Sequence, residues 1–176
     1  MTVLPDPPPH DSRNREAMPH PQVLIPDLEL GHLRVVEWQV AAPSSAEHDP
    51  RSTYVELFWL GILGPTAVWL MRHLARRLDE PPADDHDDAE HGVWIEIEET
   101  ARAIGLASGR QRSAAFARTV DRLIRFNMAT TVNGHTLAVR RQMPAISRRQ
   151  VERLPSALQA AHQKWIGSSD TESRVA

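Results

Sequence analysis

The stretch Glu98–Arg141, EETARAIGLASGRQRSAAFARTVDRLIRFNMATTVNGHTLAVRR, decides the fold. It predicts a short helix, a turn, a second helix and a tight hairpin, with arginines throughout. Glu98 and Glu99 open the first helix, 98–106, where acids favour the positive end of the helix dipole. Ala101, Ile104 and Leu106 mark its inward side, and Gly105 stands near its end, where a left-handed residue closes a helix. Ser113 suits the N-cap of the next helix, 114–126. Along that helix Phe116, Val120, Leu123 and Ile124 fall within about 100° of arc, and Arg118, Arg122 and Arg125 fall opposite. Asn127 can take the left-handed turn that ends it. Met128–Val132 and His135–Arg141 are β-prone, and Asn133-Gly134 between them is a strong short hairpin signal. Leu137 and Val139 are expected inward, with Thr136, Ala138 and Arg140 outward; strand alternation puts Arg141 on the core-facing side.

Working outward, Ser52–Leu78 is the most apolar region. Tyr54, Val55, Phe58, Trp59, Ile62 and Leu63 recur at helical spacing, and Gly64-Pro65 interrupts them. Two helices follow, about 53–62 and 65–78. The second is expected to bury Val68, Trp69, Leu70 and Leu74 and to turn Arg72, Arg76 and Arg77 outward. Trp59, Trp69 and Trp94 all read as core residues. Val93–Ile97 alternates as a short strand. Further upstream, 23–40 is β-rich and suggests one or two strands, with Gly31-His32 as a turn. Residues 41–51 read as a linker and 1–22 as a proline-rich tail too poor in apolar surface to fold. Downstream, Ser147 and Gln150 form a capping box. Val151, Leu154, Leu158, Ala161 and Trp165 repeat at three- and four-residue steps, and Pro155 divides a turn from a longer helix. This seam is expected to pack on helix 53–62, within one chain or across a homodimer.

The charge distribution sharpens this reading. The net charge of −3 conceals two blocks. Asp79–Glu99 holds ten acids and no Lys or Arg; Thr100–Arg153 holds eleven arginines against Asp121 and Glu152. A basic block on predicted reading elements is the footprint of a phosphate binder. The acids and histidines of 79–91 read as a solvated loop rather than a metal site, because consecutive acids beside Pro81-Pro82 give no rigid scaffold. The chain has no cysteine, which excludes disulfides and thiolate chemistry. No apolar run is long enough to span a membrane and no secretory signal is apparent, so a cytoplasmic location is expected.

This order of elements resembles the winged helix-turn-helix superfamily. The resemblance rests on EETARAIGL, SAAFARTVDRLIRF and MATTVNGHTLAVRR, with helix 65–78 and strand 93–97, and the arginine-rich, lysine-poor style looks actinobacterial. The fold it implies is mostly α with a small β-hairpin, extended by the N-terminal β-rich segment and the C-terminal helix. The implied organisation is a tail (1–22), a β-rich extension and linker (23–51), a winged-helix domain (52–146), a packing or dimerisation helix (147–167) and a tail (168–176). In that family the second helix enters the DNA major groove and the wing meets the flanking groove or backbone. Carried to this chain, Arg110, Gln111, Arg112 and Ser113 would approach base edges. Arg118, Arg122 and Arg125 would meet phosphates, and Asn133, His135 and Arg140 would serve at the wing. The loop 107–112 exceeds a tight turn, so either the helix begins near Ser108 or the loop itself reaches DNA.

The expected function is sequence-specific binding of double-stranded DNA, as a transcriptional regulator. The alternatives are a winged-helix adaptor in transcription or replication machinery, or a plasmid- or phage-type replication initiator. The partners are then DNA, a second copy of the chain, or a transcription or replication protein, with no membrane. No cofactor or metal and no catalysis are expected: the chain lacks a phosphate-binding glycine loop, HExxH and Gly-x-Ser-x-Gly.

Overall fold

A computed structural model describes residues 25–39, 46–80, 92–106 and 111–172, the backbone alone at 111, 112 and 168–172. The predicted tail 1–22, residues 173–176 of the predicted tail 168–176, most of the acidic loop 79–91, and Arg110 lie outside the described residues; the rest of that second tail, 168–172, is helical.

The elements run β1 (His32–Glu37), β2 (Glu47–His48), a π-helical segment (Val55–Trp59) continuing as α1 (Leu60–Leu63), α2 (Pro65–Asp79), β3 (Gly92–Glu96), α3 (Ile97–Ala103), α4 (Gln111–Arg125), β4 (Ala129–Asn133), β5 (Thr136–Val139), β6 (Met143–Pro144), α5 (Arg148–Val151) and α6 (Ser156–Glu172). About half of the described residues are helical, and the helices pack with a small mixed sheet.

That sheet corrects the expectation that the β-rich segment 23–40 is an extension beside a mostly α domain with a small hairpin. Its order is β3-β1-β5-β4. β1 runs antiparallel to β3, with Leu33 opposite Ile95, and parallel to β5, with Val35 opposite Leu137. The residues expected to form an extension therefore fill the middle of the sheet, between β3 and the hairpin. The predicted linker also contributes a strand, because β2 pairs with β6.

Local chemistry explains the breaks. Gly64 separates α1 from α2 at φ +83°, a left-handed conformation in which an L side chain is strained, and Pro65 opens α2 where its missing N–H costs nothing. α3 closes in a Schellman turn: Leu106 N–H donates to Ala101 and Gly105 N–H to Arg102. α4 closes the same way around Asn127, at φ 59°, with Met128 N–H donating to Leu123 and Asn127 N–H to Ile124. Pro155 divides α5 from α6, and Gln150 Oε1 accepts the Ser147 N–H at 2.7 Å in the capping box.

One core joins the two layers. Leu33, Val35, Phe58, Leu70, Met71, Phe116, Val120, Leu123 and Leu137 are fully buried. Trp59 is buried as expected, and its indole N–H donates to the Pro144 carbonyl at 2.9 Å. Trp69 and Trp94 are not core residues; each is 54% exposed. The buried side of α2 carries Ala67, Val68, Leu70, Met71 and Leu74, and at 100° per residue Trp69 falls opposite, against Arg72. Ile95 takes the inward side of β3, so its neighbour Trp94 faces away. Thr136 and Ala138 were expected outward but are buried, because β5 has a strand on each side that covers small side chains.

The predicted C-terminal seam packs within the chain. Trp165 meets Tyr54 at 5.8 Å and Phe58 at 6.2 Å between ring centres. Leu154 is buried, and Val151, Leu158 and Trp165 are half-buried against the same core. Among the described residues, no helix is long and apolar enough to cross a membrane.

Candidate nucleic-acid interface

α4 buries one side and turns the other outward. Phe116, Val120 and Leu123 are fully buried, while Ser113, Arg118, Arg122 and Arg125 are exposed. The described helix already includes Gln111, so Ser113 lies inside the helix and is not its N-cap. Gln111 and Arg112 are the first two described residues of the helix.

The three helix arginines differ in what holds them. Arg125 Nε lies 2.8 Å from Asp121 Oδ2, one turn back, so its charge is largely neutralised. Arg122 donates to the Ile62 carbonyl at 2.8 Å and lies 5.4 Å from the Phe126 ring centre. A carbonyl positions a guanidinium without cancelling its charge. Arg118 has no ion-pair partner among the described residues.

Arg118 and Arg122 line an open groove of about 400 Å³ with Gly64, Pro65 and Thr66 at the start of α2. The first turn of α2 has no acid and no side-chain cap. Its free N–H groups and the helix dipole add positive potential to the two guanidinium groups. No carboxylate lines this groove among the described residues.

The hairpin is arranged differently. Neither Asn133 nor Gly134 has a positive φ, so the pair does not form the mirror-image turn expected of Asn-Gly. Instead, the pairing slips between Thr131 and Asn133, and Asn133 Oδ1 accepts the His135 N–H at 3.0 Å. The tip is tied to the N-terminal segment. Gly134 O accepts from Asp27 N–H at 2.6 Å and His135 O from Arg34 N–H at 2.9 Å. Asn133 and His135 remain exposed.

The hairpin arginines turn back onto the protein. Arg140 Nε donates to the Asn127 carbonyl at 2.7 Å, and its guanidinium lies 5.0 Å from the Trp38 ring centre. Arg140 is thus a half-buried bracket between strand and helix end, not the outward contact expected of it. Arg141, expected on the core-facing side, is exposed and paired with Asp79 and Glu37. The structure thus brings Arg118 and Arg122 together at the start of α2 and leaves Arg140 outside that group.

One polar cluster had no place in the sequence reading. Tyr54 OH lies 3.0 Å from His162 Nε2 and accepts the Ile146 N–H at 3.0 Å. The His48 ring stacks on Tyr54 at 3.5 Å. Burial pushes the His162 and His48 pKa values down, with His162 adding to the effect on His48, and pushes the Tyr54 hydroxyl up. Both imidazoles are thus favoured as neutral. The signal for His162 was its spacing: four residues after Leu158 and three before Trp165, it falls on the seam. Among the described residues, no group of three or more His, Asp or Glu could hold a metal ion.

Comparison of the chain with protein-family models, with curated proteins and with solved structures finds no match.

Proposed function

We propose that this protein binds double-stranded DNA sequence-specifically as a transcriptional regulator, through a variant of the winged helix-turn-helix. In this reading α3 and α4 are the helix-turn-helix and β4–β5 the wing. β1, inserted between β3 and β5, is the departure from the usual arrangement. The observation that carries the reading is the groove in which Arg118 and Arg122 meet the uncapped start of α2 with no carboxylate in its wall. Backbone N–H groups, a helix dipole and two guanidinium groups together favour a phosphate. The first turns of α4 then approach base edges, with Gln111, Arg112 and Ser113 the nearest residues in sequence. The wing contributes shape and the exposed Asn133 and His135, since Arg140 is engaged elsewhere.

Fluorescence anisotropy of the full chain with a random-sequence duplex, followed by selection of bound duplexes from a random pool, tests this. About four phosphate contacts predict a roughly hundredfold loss of affinity between 50 and 200 mM salt. The pool should yield a preferred sequence. Absence of binding at about 50 mM salt would refute the proposal.

A second reading, a protein-interaction adaptor, draws on the exposed indoles of Trp69 and Trp94, since exposed aromatic residues are enriched where proteins dock. Failure to bind the duplex at low salt is the result it predicts.

A further inference from the structure

The second half of α2, strand β3 and helix α3 line a groove of about 490 Å³. That volume lies in the range of small-molecule sites. Its wall includes Trp94, 54% exposed, together with His73, Arg76, Arg77, Glu96 and Glu99.

The charges in this groove, which Glu80 also lines, cancel only in part. Arg77 is committed to Glu80, with Nη1 2.5 Å from Oε2. Arg76, Glu96 and Glu99 have no ion-pair partner among the described residues, although all three line one groove. Side chains of opposite sign that share a wall without pairing are held apart by their elements: Arg76 on α2, Glu96 at the end of β3 and Glu99 in α3. Such spacing rejects simple ions. A pure anion meets Glu96 and Glu99; a pure cation meets Arg76. A molecule carrying an ammonium and a carboxylate a few ångströms apart satisfies both. His73, half-buried between them, has its pKa pushed down by burial and by Arg77 and Arg76, so it offers a neutral hydrogen-bonding ring. The Trp94 indole gives a flat apolar wall, and its face also attracts an ammonium group.

We infer that this groove binds a small zwitterion, a free α-amino acid with an apolar or aromatic side chain. Its carboxylate sits on Arg76, its ammonium on Glu96 and Glu99, and its side chain on Trp94. This inference does not depend on DNA binding.

Isothermal titration of the full chain with L-leucine, L-phenylalanine and L-tryptophan tests it. At least one should bind with a Kd on the order of 1 mM or tighter, as expected for a ligand of this size. The N-acetyl and the carboxamide derivatives of that amino acid each lack one charge and should bind at least about tenfold more weakly. Acetate and propylammonium should give no measurable heat. Arg76→Ala, Glu99→Gln and Trp94→Ala alter exposed residues, so each should keep the wild-type circular dichroism while weakening binding by about tenfold. The inference is overturned if none of the three amino acids binds at about 10 mM, if the blocked derivatives bind as well as the parent, or if folded Arg76→Ala binds like wild type.

Discussion

Helix α4 and the β4–β5 hairpin both carry arginine, and the protein treats the two sets in opposite ways. On α4, Arg118 has no ion-pair partner among the described residues, and Arg122 leans only on a backbone carbonyl and a ring. After the hairpin, Arg140 is spent on Asn127 and Trp38, and Arg141 on Asp79 and Glu37. Asp79 also takes Arg51, at 2.8 Å, so the acid that ends α2 gathers two guanidinium groups. The contrast teaches that a basic stretch of sequence measures charge content, whereas binding depends on charge left uncompensated. The same residue type is a candidate ligand contact in one place and a structural bracket in the other.

Charge reversal is the strongest way to break this comparison. Arg118→Glu with Arg122→Glu removes two cations from the groove and adds two anions. At about 100 mM salt, duplex affinity should fall roughly a hundredfold, or about 2.7 kcal/mol, and the salt slope should become shallower. Both side chains are exposed, so the melting temperature should change little. If Arg140→Glu with Arg141→Glu weakens binding as much in a protein that is still folded, the distinction between the two regions is wrong.

The two regions also differ in how much of them the sequence revealed. α4 was legible because its signals are local. Phe116, Val120 and Leu123 repeat at helical spacing, Arg118 and Arg122 fall opposite, and Asn127 takes the left-handed turn. The groove was only half legible, since its other wall, Gly64–Thr66, comes from a helix start some 50 residues earlier. The hairpin strands were found, but their setting was not. Nothing local in HLRVVE says that it runs parallel to β5, about 100 residues on, and that insertion buries Thr136 and Ala138 and ties down the tip. Trp69 and Trp94 failed for another reason. Hydrophobicity alone suggested burial, while the helical angle and the strand alternation both placed them outside.

A smaller effect sharpens the comparison from the other side. Arg140→Ala removes a hydrogen bond to the Asn127 carbonyl and a cation–π contact with Trp38. Urea unfolding should show a loss of about 1–2 kcal/mol. Duplex affinity of the folded variant should change by less than about threefold. The reverse pattern, unchanged stability with weakened binding, would make Arg140 a ligand contact and the hairpin a charged wing.

The smallest effect separates both arginine regions from the buried cluster beneath α6. His48 and His162 make stability depend on pH, because burial lowers both pKa values from the ordinary 6.5. The unfolded chain takes up protons as pH falls below that value, while the folded chain resists until the pH is lower still. Folding stability is therefore fully present above the unfolded value and declines as pH falls through it toward the folded values. His73, lowered by burial and by Arg77 and Arg76, adds in the same direction. The geometry gives the cost a location. Tyr54 oxygen already accepts the Ile146 N–H, so the His162 tautomer with a bare Nε2 is the one that takes the Tyr54 proton, and protonating that ring removes this acceptor. The melting temperature should hold steady above about pH 7.5 and drop by a few degrees by about pH 5.5. His162→Gln, which keeps an acceptor for Tyr54 but cannot titrate, should flatten part of that decline. A melting temperature that stays level or rises on acidification would show that these imidazoles are not held neutral, and that the contact between α6 and Tyr54 tolerates a charge.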